Sequence, residues 1–263
     1  MWAVSRGYCD KYPNVTSIKH CTNSGLIFGT DKVGGVAGAI LNCRVSNCRN
    51  EGAVSGNQSL GGIIGFANWT KIADGNNIVK LCVNFAGISG AMEVGGIAGN
   101  QMLLPDVQTY SYYQCYNSGN VRCTYAPALE GRDMHSCAGG IVGRGSDFNH
   151  MTILECGNSG YIRGEGRFVG GIAGKLAADS PCENCYNVGN VYGLYECGGL
   201  SGYGGILLRC YVYASESNPE VEGKYGIDCA LNNNSVAIVS NDTHALGITG
   251  AFNGNAARSY HRR

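Results

Sequence analysis

The chain has 263 residues, 42 of them Gly and 14 Cys, and its 19 basic side chains balance 19 acidic ones. So much glycine with only 5 Pro and no Gly-X-Y period excludes collagen and Pro-rich disorder. A neutral, sparsely charged surface offers no electrostatic footprint for nucleic acid or an anionic membrane, and no apolar run is long enough for a transmembrane segment.

Residues 1–14 precede any pattern and read as an N-terminal cap. Their opening, from Met1 to Arg6, lacks the basic-then-apolar plan of a signal peptide. The chain is then a mature or excised piece, or its export relies on something the sequence does not show. From Val15 a two-part phrase recurs. Its first copy reads Cys-Thr-Asn-Ser-Gly-Leu-Ile-Phe-Gly from Cys21 to Gly29, then Val-Gly-Gly-Val-Ala-Gly from Val33 to Gly38. Copies follow at Cys48 to Gly56 with Leu60 to Gly65, and at Cys82 to Gly90 with Val94 to Gly99. Three more open at Cys115, Cys156 and Cys185, closed by phrases beginning at Cys137, Val169 and Cys197, and a seventh starts at Cys210 and breaks off. A repeat of about 25 to 40 residues is the mark of a solenoid or array. The expected fold is all-β, a parallel β-solenoid (β-helix) of about six to seven coils over residues 15–210, with residues 211–263, polar and without the pattern, as a C-terminal cap.

Each coil reads as two or three short strands separated by Gly corners, with β-branched lead-ins such as Val15 to Ile18. Alternation puts Cys21, Asn23, Gly25, Ile27 and Gly29 on the inner face and Thr22, Ser24, Leu26 and Phe28 outside. Stacked copies then align Cys21, Cys48, Cys82, Cys115, Cys156, Cys185 and Cys210 in one column. A second column holds Asn23, Asn50, Asn84, Asn117, Asn158 and Asn187. A buried Asn is costly unless its amide is paired. A ladder in which each Asn donates to the next satisfies that need; the alternative is a local turn cap through its own backbone. Val212 stands where the seventh Asn would be, which fits a ladder ending there.

The column cysteines read as buried thiols, because stacked parallel side chains point the same way rather than at one another. Cys9, Cys43, Cys123, Cys137, Cys182, Cys197 and Cys229 are better placed for cross-links. Cys123 and Cys137, which bracket one loop, form the candidate disulfide. The glycines of the second phrase mark sharp turns or close backbone approach.

Two inserts interrupt the repeat, at residues 100–114 and 122–136, and inserts in repeat proteins map to loops on a binding side. Tyr110, Tyr112, Tyr113, Tyr125 and Arg132 within them are the candidate partner-binding residues, since Tyr offers rigid amphipathic area for sugars or proteins. Tyr on strands also simply covers outward faces.

Catalytic signatures are missing. His20, His135, His150, His244 and His261 are scattered and none begins a His-Glu-x-x-His pair. The Gly-x-Ser-x-Gly elbow fails at Ser201. Asp31, Asp74, Asp106, Asp133, Asp147, Asp179 and Asp228 do not share one repeat position, as facing carboxylates would require. Cys182 and Cys185 form a lone Cys-x-x-Cys, and zinc needs a second ligand pair. No catalytic residue, cofactor or metal is assigned.

The phrases resemble GLUG repeats, named for a Gly-Leu-hydrophobic-Gly core. Here that core stands at Gly35 to Gly38, Gly62 to Gly65, Gly96 to Gly99, Gly140 to Gly143, Gly171 to Gly174 and Gly199 to Gly202, and the likeness covers about residues 15–215. The resemblance implies a β-solenoid on an exported bacterial surface protein, such as an adhesin or the non-catalytic part of an immunoglobulin-A1 peptidase, with no chemistry of its own. The expected role is therefore a non-catalytic extracellular or cell-surface scaffold or adhesin, whose partner is a protein or glycan. One alternative is an extracellular filament built from copies of the chain stacked end to end. Another is a carbohydrate-active β-helix enzyme working from the inserts, with Asp133 and His135 as the residues to mutate.

Overall fold

The computed structural model describes residues 16–69, 79–103, 109–125, 135–146, 151–193 and 196–212, with short strands at 227–229, 238–240, 249–251, 256–257 and 260–261. One circuit takes five strands: β1 (Thr16–Lys19), β2 (Thr22–Asn23), β3 (Ile27–Phe28), β4 (Asp31–Gly34) and β5 (Ala37–Leu41). The next takes β6 (Cys43–Ser46), β7 (Arg49–Asn50), β8 (Val54–Ser55), β9 (Gln58–Gly61) and β10 (Ile64–Trp69), each lying parallel on its counterpart one circuit earlier. Continued, the cycle gathers the strands into five sheets of eight, seven, eight, eight and six members. Among the described residues there is no helix, and the one antiparallel pairing joins Ile227–Cys229 to Ile238–Ser240. The protein is a parallel β-solenoid.

Register holds like residues together. Asn23 lies beside Asn50, and so on through Asn84, Asn117, Asn158 and Asn187. The apolar columns behave the same way: Val54, Ile88, Val121, Ile162 and Val191 are all buried, as are Ile63, Ile97, Ile141, Ile172 and Leu200. Each such side chain contributes about 1.5–3 kcal/mol when covered. A circuit only a few residues across cannot cover its own, so the neighbours above and below must.

The corners differ from the expectation. His20, Asn47, Leu81, Gln114, Glu155, Asn184 and Arg209, each just ahead of a column cysteine, have φ between 50 and 54°. A second set (Lys32, Ser59, Glu93, Phe168 and Glu196) turns the chain into the second phrase with φ of 44 to 57°. Left-handed backbone costs a non-glycine residue on the order of 1 kcal/mol, and stacking on the neighbouring circuits repays it. The first set all point to solvent, so any side chain fits there. Among the described glycines only Gly204 and Gly205 have positive φ. The rest serve space. A Cβ on Gly140 would lie 2.1 Å from the Gly171 carbonyl oxygen and 2.6 Å from Asn158 Cγ. The same contact joins Gly35 to Asn50, Gly62 to Asn84, Gly96 to Asn117 and Gly171 to Asn187. The glycine of one circuit thus makes room for the asparagine of the next, which is why the two halves of the phrase travel together.

The first insert is largely regular strand. Ala98–Leu103 continues the β10 sheet, with Asn100 beside Phe66 and Arg144, and Thr109–Tyr113 continues the β6 sheet, with Tyr112 beside Val79 and Ile153. Polar and aromatic residues at inward positions hid the alternation. Of the second insert, residues 126–134 lie outside the described ones, as does the N-terminal cap read at 1–14. Within the segment read as a C-terminal cap, Thr249–Ala251, Ala256–Ala257 and Tyr260–His261 lie parallel on strands at 201–203, 206–208 and 211–212.

Candidate functional site

The asparagine column forms a continuous chain of side-chain amides. Asn23 Nδ2 donates to Asn50 Oδ1 at 2.8 Å, and the links from Asn50 to Asn84, Asn84 to Asn117, Asn117 to Asn158 and Asn158 to Asn187 are each 2.7 Å. The same Nδ2 also reaches the carbonyl two residues on, at 2.8 Å for Asn84 and Asn117 and 2.9 Å for Asn158 and Asn187. Ladder and local turn cap therefore coexist, each using one amide hydrogen. Val212 lies beside Asn187, so the donor run stops there.

The column cysteines repeat one contact. Each thiol donates to the carbonyl two residues before it, at 3.3 to 3.5 Å from Cys21 to Cys210. No disulfide joins any of the cysteines whose side chains are described. That includes Cys123 and Cys137, the candidate disulfide, which are not bonded to each other. Cys123 sits in the β8 sheet, beside Gly90 and Gly164, and its thiol donates to the Ala91 carbonyl at 2.9 Å. Cys137 belongs to the next corner, where its carbonyl accepts from Val94 N–H.

The proposed partner-binding residues do not form one surface. Tyr112 is fully buried, and its hydroxyl has no hydrogen-bond partner. A register shift between Tyr110 and Tyr112 turns that ring into the interior. Tyr113 is half-buried and Tyr125 exposed. Tyr110 lies in the strand Thr109–Tyr113, and Arg132 and Asp133 are outside the described residues.

The structure assembles a polar site at a different residue, Glu93. This fully buried corner carboxylate accepts from Ser59 Oγ at 2.5 Å, Asn100 Nδ2 at 2.8 Å and Arg144 Nη1 at 3.1 Å, with His135 Nδ1 at 2.5 Å. His135 Nδ1 also lies 2.8 Å from Arg144 Nη1. One ring nitrogen cannot donate to the carboxylate and accept from the guanidinium together; with Nδ1–H toward the buried charge, the Arg144 contact sets two donors side by side and is not a hydrogen bond. Burial alone would raise the Glu93 carboxyl, but hydrogen bonds from Ser59, His135, Asn100 and Arg144 outweigh it and hold the group below the usual range. The same edge continues with Lys175 over the Phe168 ring and with Arg167 clamping Glu196 at 2.9 and 2.6 Å. Chemically this is a charged, hydrogen-bonded cluster, buried at Glu93, Lys175 and Glu196 and open to solvent at His135 and Arg167. A carboxylate with four donors on it has no lone pair to spare for attack or proton abstraction. Nothing in the repeat marked Glu93, because its partners come from circuits 34 to 51 residues away along with nearby Asn100.

Among the described residues one thiol group could hold a metal: Cys182, Cys185 and Cys210, whose sulfurs all lie within 4.8 Å of one another and are buried. The spacing of Cys182 and Cys185 was visible in the sequence, whereas Cys210 joins them only through register. Among the described residues no helix is long and apolar enough to cross a membrane. Compared with known proteins, the chain matches no family model, no curated protein and no solved structure.

Proposed function

We propose that the chain is a non-catalytic, extracellular or cell-surface β-solenoid of the GLUG-repeat type, a scaffold or adhesin that offers its polar edge to a protein or glycan. The observation that carries this reading is the full engagement of Glu93, the buried carboxylate of that edge, by its own neighbours. Its role is to fix His135 and Arg144 rather than to turn over a substrate. His135 is half-exposed, and its neighbour Ser136 donates through Oγ to the carbonyl of the exposed Tyr125 at 2.9 Å, which gives a ligand something to meet. The test is a glycan array probed with the intact chain and with a His135→Ala, Tyr125→Ala variant. Retention of a defined glycan set by the wild type, and its loss in the variant, supports the reading. Release of new reducing ends from a polysaccharide panel, abolished by Glu93→Gln or Asp133→Asn, makes the protein an enzyme instead.

A second reading, end-to-end assembly, is favoured by the first circuit. Among the described strands β1 to β5 each stand last in their sheets, and Leu26 and Phe28 there are 85% and 82% exposed. Open strand edges beside apolar side chains template pairing with another chain. Concentration-dependent light scattering with negative-stain imaging decides it: fibres that disappear in Leu26→Glu, Phe28→Glu favour assembly, and a monodisperse monomer at high concentration removes it.

A further inference from the structure

Three residues ahead of each column cysteine, the interior position is apolar in the neighbouring circuits. Ile18, Val45, Val79, Tyr112 and Ile153 occupy it in succession, then Cys182, then Leu207. Cys182 alone breaks that run. It falls beside Cys185 and Cys210, successive members of the cysteine column. Elsewhere that column is a line, in which a thiol has only the thiol above and the thiol below. Here the extra sulfur turns the line into a triangle.

The triangle has a definite size. The three sulfurs lie within 4.8 Å of one another, and Cys182 Sγ and Cys210 Sγ are 4.0 Å apart. Three metal–sulfur bonds of about 2.3 Å at the corners of a plane set the sulfurs about 4.0 Å apart. A disulfide needs about 2.05 Å, half that separation. Ile153 and Leu207, both buried, flank Cys182 in the sheet, and the three sulfurs are themselves buried. Among the described residues no fourth Cys, His, Asp or Glu joins the group. A closed zinc site takes four ligands, whereas soft thiolates with no fourth donor suit monovalent copper.

We propose that Cys182, Cys185 and Cys210 form a three-coordinate thiolate site for monovalent copper. Copper(I) forms three Cu–S bonds, three S–H bonds break, and three protons leave to solvent, with no change of oxidation state. The sulfur of Cys185 is also a hydrogen-bond acceptor. The Cys156 N–H already points at it from 3.4 Å.

The experiment uses the full chain, reduced and kept anaerobic, titrated with copper(I) in competition with bathocuproine disulfonate, a chromophoric copper(I) chelator. The expected result is one tightly held equivalent with a three-sulfur shell by X-ray absorption. That equivalent is lost in Cys182→Val, which restores the residue found at Val45 and Val79 and so preserves the fold by circular dichroism. Cys210→Ala gives the same loss should the valine variant pack poorly. Cys156→Ala, in the column but outside the triangle, keeps the equivalent. Copper retained by Cys182→Val, copper lost equally from Cys156→Ala, or zinc(II) displacing copper at equal concentration overturns the site. So does a chain that isolates with a Cys182–Cys210 disulfide and takes up no copper after reduction, which assigns the cluster to redox chemistry.

Discussion

Asn117 is held from both sides: it accepts from Asn84, donates to Asn158 and donates again to the Gly119 carbonyl, all without access to solvent. Asn117→Ala strands one Asn84 amide hydrogen, worth about 1–3 kcal/mol when buried unpaired, and removes one of the two donors on Asn158 Oδ1, which keeps the Gly160 N–H. The expected loss is about 2–4 kcal/mol by urea denaturation. Asn23→Ala, at the half-exposed end of the ladder, should cost under about 1 kcal/mol, because water replaces the lost partner. Equal losses at the two positions would mean the amides act only as local caps. Gln101 is the opposite case. It is fully buried, neither side-chain atom has a partner, and its column neighbour in the β10 sheet is Ala67, which itself lies beside Ile40. Gln101→Leu should therefore raise stability by about 1 kcal/mol in the same assay. The asparagine ladder was legible because Asn recurs two residues after six of the seven column cysteines. Gln101 was not, since it appears once, inside a stretch that looked like an insert.

At the scale of the element, sequence pattern and structure part company over what glycine does. Repeated Gly-Gly suggested corners, yet the corners belong to residues such as Asn47 and Glu155 at positive φ, and Gly140 or Gly35 sit where one circuit presses on the next. Strands of two residues are too short for alternation to count them, so a circuit of five looked like two or three. The distinction is measurable. Gly140→Ala places a methyl 2.1 Å from the Gly171 carbonyl oxygen, against backbone that cannot yield, and should cost several kcal/mol or prevent folding. Gly87→Ala meets only the Asn120 carbonyl oxygen at 3.9 Å, and its φ lies outside the left-handed region. It should be neutral or stabilising by about 0.4–1 kcal/mol through the unfolded chain. Equal penalties at both sites would return the glycines to a conformational role.

For the whole molecule, the solenoid could be read from the repeat alone, because stacking is the one way such short circuits bury their apolar positions. The polar edge could not, because it exists only once register is set. Glu93 draws Ser59 from the circuit before it and His135 and Arg144 from the circuit after, so one carboxylate ties three neighbours. Its folded-state value lies below the ordinary one. The stabilisation is therefore complete above the unfolded Glu value, about 4.3, and is lost as pH falls through that value toward the folded one. Glu93→Gln should cost about 3 kcal/mol at pH 7, where the wild-type carboxylate is charged and paired with Arg144. The gap between variant and wild type should narrow as both are taken from pH 7 to pH 3. Because a solenoid's stability is close to a sum over neighbouring circuits, the loss should appear first as faster amide exchange around residues 59, 93 and 135, ahead of the circuits beyond Gly174. A gap in urea midpoints that stays constant from pH 7 to pH 3 would mean that Glu93 holds its neighbours by shape and hydrogen bonding alone, with its charge making no contribution.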